Sequence, residues 1–339
     1  MPRIDKIVDD HAITPNESRM IGFLQTIAIV SVITAHVVSP ASGNGFREAV
    51  TSVLSAFGCV GVAVFFVLGG FLYHREPGDT GRFWRKKFHG LILPWLVCSL
   101  ITYIIKIITT QQIGLLDYCK WVLGYGTWYY YSTVYVVFLA LFRFLKKHDA
   151  CLYAAIGVNA ISLIAATVSK QYLATPYLST YLNVFNWIGF FALGVLIRKY
   201  RLDRKLLRSI WPLVLSAVLC AAALILMFAL DKWGYFSILG MVFELSFAVV
   251  LLYIAKAICR FKWAHHIADI GKYTYCIYLL HMPIVQPICA RLPGTWALDL
   301  VKPLLGFAIM VCLIYVGKKI CKLLPFGDSL CRLVGIRFR

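Results

Sequence analysis

Apolar runs of about twenty residues recur along the chain and are separated by short polar segments. A helix rises about 1.5 Å per residue, so roughly twenty apolar residues cross the ~30 Å hydrocarbon core of a bilayer. The runs lack the alternation of apolar and polar positions that is typical of membrane β-barrels. We therefore predict an all-α integral membrane protein, a bundle of about ten transmembrane helices, at residues 20–38, 56–73, 91–109, 127–145, 151–168, 182–198, 210–230, 236–258, 270–290 and 302–323.

Basic residues are unevenly divided between the polar segments that connect these runs. Lys and Arg are frequent in the N-terminal tail and in every second connecting segment, and rare in the segments between them. Because cytoplasmic loops of membrane proteins carry the excess of Lys and Arg, both termini are predicted to be cytoplasmic. The chain then divides into a cytoplasmic tail at 1–19, a membrane domain at 20–323 and a basic cytoplasmic tail at 324–339.

The composition agrees with a membrane protein and argues against one functional class. Hydrophobic residues make up 60% and charged residues 14% of the 339 residues, and the mean hydropathy is +0.77. The net charge of +19 would suit a nucleic-acid partner, but topology explains its alternation between segments, with anionic membrane lipids as a second partner. None of the eleven cysteines stands at a metal-ligand spacing from another cysteine or a histidine, so no metal is expected.

The stretch GFLQTIAIVSVITAH places two polar residues, Gln25 and His36, in the first predicted helix. Eleven residues at 100° per residue return to within about 20° of the start, so both side chains share one helix face. Such a face must avoid lipid, and we expect it to line an internal passage with His36 at the outer mouth. His36 is either a general base for a hydroxyl nucleophile or an interfacial side chain bonded to a loop carbonyl.

Further polar residues are predicted at the depth of His36. Tyr278 and His281 share a broad face of the ninth predicted helix, and Trp128 begins the fourth on the external side. These three residues either contact the substrate or have structural roles. In the structural interpretation Tyr278 and His281 form interhelical hydrogen bonds, and Trp128 belongs to an aromatic belt at the membrane interface. Glu244 lies inside the eighth predicted helix, where a carboxylate is costly and is either functional or satisfied by protonation or an interhelical bond.

Two other segments have a packing interpretation and a binding interpretation. Gly69 and Gly70 stand beside large aromatic residues in the second predicted helix, where small residues let backbones approach or let a ligand pass. Arg85, Lys86 and Lys87 lie in a predicted cytoplasmic loop. They either anchor the topology or hold the phosphates of a cytosolic cofactor, as clustered cations do.

Six segments in the same order, spread over most of the chain, resemble those of the membrane-bound acyltransferase family 3. They are LQTIAIVSVITAH, GVAVFFVLGGFLY, FWRKKFHGLILPWL, GTWYYYSTVY, VFNWIGFFALGVLIRKY and IGKYTYCIYLLHMPIV. The first ends in the histidine that corresponds to the family's key residue, here His36. The chain departs from the family pattern at Gln25, where an arginine is usual, at Gly69, where a serine is usual, and at Gly90, where a second arginine is common.

The resemblance implies transfer of an acyl group, commonly acetyl, from acyl-CoA in the cytoplasm to a hydroxyl of a surface or lipid-linked glycan or a similar acceptor. His36 would deprotonate the acceptor or first take the acyl group itself. Tyr278, His281 and Trp128 are candidate oxyanion donors, and Glu244 is a further candidate at the acceptor. The acyl-CoA candidates are Gln25, Gly69, Gly70, Arg85, Lys86 and Lys87.

Two other functional classes remain open from the sequence. Ten helices with an internal polar face would also suit a permease for a small polar solute such as an amino acid, which would need no CoA. A structural partner of an envelope assembly is the third alternative. The resemblance favours a multi-pass protein of a bacterial plasma (inner) membrane, and an oligomer is possible.

Overall fold

The computed structural model describes residues 13–39, 41, 45–73, 80–111, 113–169, 180–230 and 235–336. The described residues are 84% helical and contain no strand. The α-helices, in chain order, are α1 (Pro15–Val37), α2 (Gly45–Phe71), α3 (Thr80–Lys87), α4 (Leu93–Thr110), α5 (Leu115–Leu123), α6 (Tyr130–Leu145), α7 (Asp149–Val168), α8 (Ile188–Tyr200), α9 (Leu202–Leu206), α10 (Trp211–Ala229), α11 (Ile238–Ile258), α12 (Lys262–Ile270), α13 (Thr274–Ala290), α14 (Trp296–Lys322) and α15 (Gly327–Leu333).

Among the described residues, seven helices are long and apolar enough to cross a membrane: α1, α2, the continuous helix Thr80–Thr110, α7, α10, α11 and α14. The prediction of an all-α membrane protein is therefore confirmed. The other three predicted spans overlap α6, α8 and α13, which have 16, 13 and 17 residues. The total of about ten spans and the cytoplasmic location of both termini stay predictions.

Several element boundaries differ from the predicted ones, and local chemistry explains one of them. The second predicted span starts at residue 56, whereas α2 begins eleven residues earlier at Gly45. The sixth predicted span starts at residue 182, whereas α8 begins at Ile188. There the Asn183 side chain accepts a hydrogen bond from the Phe185 amide at 3.1 Å and starts a 3₁₀ turn, which delays the helix.

Helix α1 is fixed near its start and at its middle. Thr14 and Glu17 form a capping box, in which each side chain accepts a hydrogen bond from the other residue's backbone amide. At the middle, Ser31 donates to the Phe57 carbonyl at 2.6 Å and accepts from the Gly61 amide at 2.7 Å. A Cβ on Gly61 would lie 2.3 Å from the carbonyl oxygen of Ala28, so only glycine permits this approach of α1 and α2.

Residues 80–92 are helical, which corrects the prediction of a loop that carries Arg85, Lys86 and Lys87. These residues form the last turn of α3, and a π-helical turn, Phe88–Ile92, joins α3 to α4. Pro94 has no amide hydrogen to donate and its ring clashes with the carbonyl four residues back, which favours a locally wider helix. The rest of the predicted loop, residues 74–79, lies outside the described residues.

The C-terminal tail predicted at 324–339 is folded against the bundle as far as residue 336. Helix α15 contacts α4 and α14, and Cys331 and Ile336 are buried. Burial raises the pKa of the Cys331 thiol to about 12, so the thiol stays neutral at physiological pH.

Candidate active site

Two histidines from distant parts of the chain are in ring contact. His36 is half-buried in the last turn of α1, and His281 is buried in α13. Their ring centroids are 5.1 Å apart with the planes tilted by 48°. The two residues, which were predicted to lie at the same depth, are therefore in direct contact.

The hydrogen bonds of His281 define which of its nitrogens carries the proton. Nδ1 lies 2.8 Å from the Tyr278 carbonyl oxygen and 3.2 Å from that of Ile277. Because carbonyl oxygens only accept, Nδ1 carries the hydrogen and Nε2 of the neutral ring carries a lone pair. Nε2 is buried and has no hydrogen-bond partner among the described residues. His281 thus presents a buried acceptor beside His36.

A proline in α13 explains how the aromatic residues are attached to this helix. Pro283 has no amide hydrogen, so the carbonyl of Leu279, four residues earlier, lacks its usual helical donor. That carbonyl accepts instead from Trp128 Nε1 at 3.3 Å and from the Tyr129 hydroxyl at 3.1 Å. The Trp128 ring lies 6.5 Å from the His281 ring in an edge arrangement.

Tyr278 also joins α13 to the segment before α6, because its hydroxyl donates to the Trp128 carbonyl. Trp128 and Tyr278 therefore use their polar hydrogens within the protein, and Nε2 of the neutral His281 ring has no hydrogen to donate. This arrangement holds the two histidines in place. The oxyanion role of these three residues stays a prediction, and it requires at least one of these bonds to exchange for a bond to substrate.

Sequence reasoning did not identify the role of Tyr129, which is buried and hydrogen-bonded to Thr102 at 2.9 Å as well as to Leu279. A signal for it was present. The spacing of Pro283 from Leu279 marks a carbonyl without a helical donor, and such a buried acceptor needs partners.

Glu244 is buried in α11. No hydrogen bond, ion pair or ring contact within the described part of the chain joins it to His36 or His281. Its candidate role at the acceptor therefore stays a prediction without a geometric partner.

The expected internal passage between Gln25 and His36 is closed in this structure. Both side chains are half-buried, but Ile29 and Val32 lie within about 40° of the same helix face. These two residues are 0% and 3% exposed and belong to the hydrophobic core. A side chain without accessible surface cannot line an open passage, so packed core separates the two polar residues.

Gly69 and Gly70 both have a packing explanation. A Cβ on Gly70 would lie 2.0 Å from the Phe191 carbonyl oxygen, and a Cβ on Gly69 would lie 2.5 Å from the Tyr135 ring. Gly70 thus permits α2 to approach the backbone of α8, while Gly69 accommodates an aromatic ring. Their part in acyl-CoA binding stays a prediction.

The basic cluster of α3 is accessible. Arg85 and Lys86 are exposed, and Lys87 is half-buried with Nζ 5.6 Å from the Phe83 ring centroid. Accessibility on a helix that continues into α4 is compatible with phosphate binding, which stays a prediction.

Comparison with protein families matches residues 21–318, nearly the whole chain, to the family described as an acyltransferase domain, family 3. Comparisons with curated proteins and with solved structures gave no match. The family match supports a multi-pass membrane acyltransferase and gives no support to the transporter alternative. The chain therefore belongs to the acyltransferase 3 family of membrane acyltransferases.

Proposed function

We propose that this protein transfers an acyl group, in the first instance acetyl, from acyl-CoA to a hydroxyl of a glycan or lipid-linked acceptor. The acceptor reaches His36 from the extracytoplasmic side of a bacterial plasma membrane. The observation that carries the proposal is the ring contact of His36 with His281, whose Nε2 is buried without a partner in the described structure.

In the proposed reaction His36 acts as the general base. It removes the hydroxyl proton while the oxygen attacks the thioester carbonyl carbon, and the carbon–sulfur bond then breaks. The CoA thiolate leaves and takes the proton back from the imidazolium, so an ester and free CoA are the products. The lone pair of His281 Nε2 supports this step by accepting a hydrogen bond from the protonated His36 ring.

On the donor side, Arg85, Lys86 and Lys87 hold the CoA phosphates, because clustered cations on an accessible helix suit a multiply charged ligand. The core is closed at Ile29 and Val32, and this adds a requirement for donor binding. The acyl-pantetheine arm reaches His36 only when side chains at this level move apart. Donor binding is therefore expected to change the packing of α1.

The function is tested by incubating membrane vesicles that contain the protein with [¹⁴C]acetyl-CoA and measuring acetyl incorporation into membrane glycans and lipids. His36→Ala should reduce incorporation by about 10²–10⁴-fold, which is the usual contribution of a general base. The control is His266→Ala on α12, an exposed histidine outside the site. Equal incorporation by His36→Ala and the wild type would refute the assignment of the base.

The donor side is tested separately by the melting temperature of purified protein with and without acetyl-CoA. A ligand that binds only the folded protein raises this temperature. The Arg85→Ala/Lys86→Ala/Lys87→Ala variant should lose the shift, whereas Lys205→Ala/Arg260→Ala/Lys262→Ala should keep it with the same loss of charge. A full shift in the first variant would show that the CoA phosphates bind elsewhere.

A further inference from the structure

A cavity of about 620 Å³ lies between α1, α2, α8, α9 and α11, near the N-terminal end of α1. Its volume is in the range of ligand sites in proteins. Along α1 it extends from Thr14 to Leu24, and His36 lies twelve residues beyond Leu24, about 18 Å farther along the axis. The cavity is therefore separate from the histidine pair.

The wall of the cavity is divided into a long apolar part and a charged mouth. Sixteen of its twenty-three lining residues are apolar, which favours a ligand with a large apolar part. The charged lining residues all lie at one end, at the start of α1, at and just after α9, and near the end of α11. They are Glu17, Asp203, Arg204, Arg208 and Lys256.

The length of the whole lining, with its charged mouth, is close to the thickness of one leaflet of a bilayer. The lining runs over ten residues of α1 and its cap, and over twelve residues of α11 from Leu245 to Lys256. At 1.5 Å per residue the two lengths are about 15–17 Å, close to half of the ~30 Å hydrocarbon core. An acyl chain that enters at the charged end can therefore follow the apolar wall for about 10 Å, along Leu245–Leu252 of α11.

The charges at the mouth leave an excess of positive charge. Glu17 accepts from Arg204 at 2.7 Å and from Arg201, so its carboxylate is already compensated. Arg208 and Lys256 are exposed, and within the described part of the chain neither has a carboxylate at salt-bridge distance. Lys256 donates to the Leu207 carbonyl at 2.6 Å, which leaves further hydrogens on its ammonium group for an anion.

We propose that this cavity is a binding site for an anionic phospholipid, with an acyl chain in the apolar part and the phosphate at Arg208 and Lys256. The apolar wall and the excess of positive charge at one end together match a lipid with a negative headgroup. With the predicted cytoplasmic N-terminus, the lipid comes from the inner leaflet. Its position against α1 couples the lipid to the helix that carries His36.

The test is native mass spectrometry of delipidated protein titrated with dioleoylphosphatidylglycerol or dioleoylphosphatidylcholine. The anionic lipid should bind the tightest site at least about tenfold more strongly. Arg208→Gln/Lys256→Gln should remove this preference, and the glutamine at 256 keeps a donor for the Leu207 carbonyl. Lys205→Gln/Lys262→Gln should keep it, because these exposed lysines lie outside the cavity lining.

A second variant tests the apolar part. Ala248→Phe places a ring in the cavity and should abolish the tightest binding step for both lipids; if it fails to fold, the charge variants decide. Unchanged phosphatidylglycerol affinity in Arg208→Gln/Lys256→Gln, or equal affinity of the wild type for both lipids, would overturn the proposal. Displacement of the lipid by inorganic phosphate or acetyl-CoA would also overturn it, acetyl-CoA by making the cavity the donor site.

Discussion

The unpartnered nitrogen of His281 yields a prediction that separates its chemical role from its structural one. Asparagine at this position carries an amide nitrogen near Nδ1 and keeps the donor to the carbonyls of Ile277 and Tyr278. It has no atom at the place of Nε2. Glutamine is longer and places an amide oxygen, which is an acceptor, near the place of Nε2.

The magnitude follows from the bond that His281→Asn removes. A hydrogen bond to a charged group contributes about 1.5–3 kcal/mol, and the protonated His36 ring is charged only after it takes the hydroxyl proton. Since 1.4 kcal/mol corresponds to a factor of ten, His281→Asn should slow acetyl incorporation by about 10–150-fold. His281→Gln should recover part of this loss, and both variants should bind acetyl-CoA as the wild type does.

The double variant His36→Ala/His281→Asn decides whether His281 acts through His36. If it does, the double variant is no slower than His36→Ala alone, since no imidazolium remains to be supported. The assay is [¹⁴C]acetyl incorporation at several pH values, with His266→Asn as the matched control. Multiplicative losses in the double variant, or a wild-type rate in His281→Asn, would refute the reasoning.

Two stability predictions follow from buried polar groups, each measured as a thermal or denaturant unfolding midpoint in detergent. Trp128→Phe removes one donor to the Leu279 carbonyl and should lower the free energy of unfolding by about 0.5–1.5 kcal/mol. A larger loss would mean that the indole stabilises the protein by more than this one hydrogen bond. Asp299→Leu leaves buried Lys302 without its partner at 2.7 Å and should cost about 3–5 kcal/mol, whereas Asp299→Leu/Lys302→Leu should recover much of the loss. A double variant as unstable as the single one would contradict this account.

The sequence was sufficient to predict the membrane class, most helix positions and the grouping of His36 with His281, Tyr278 and Trp128. Apolar run length and helical periodicity carry this information directly. The order of the six motifs indicated the family. What these patterns do not contain is which hydrogen bonds each side chain makes, because the partners of Tyr278 and Trp128 come from residues about 150 positions away.

Predictions that assumed open space along α1 were less successful. Helical periodicity places Gln25 and His36 on one face, but the same face also carries Ile29 and Val32, whose burial depends on neighbouring helices. The loop prediction at Arg85 failed for a related reason. Its charges indicated a cytoplasmic segment, whereas the continuity of α3 with α4 depends on the π-helical turn before Pro94.

The side chain of His281 is more tightly constrained than that of His36, and this difference suits the proposed division of roles. His281 is buried, bonded through Nδ1, and fixed to Trp128 and Tyr129 through the Leu279 carbonyl. His36 is half-buried, has no side-chain hydrogen bond within the described structure, and lies five residues beyond Ser31, the last described residue of α1 whose side chain is hydrogen-bonded to another helix. A general base must meet the substrate and change its protonation state, while an acceptor that supports it must stay in place. The less constrained ring is therefore the one suited to proton transfer, and the fixed ring is suited to orient it.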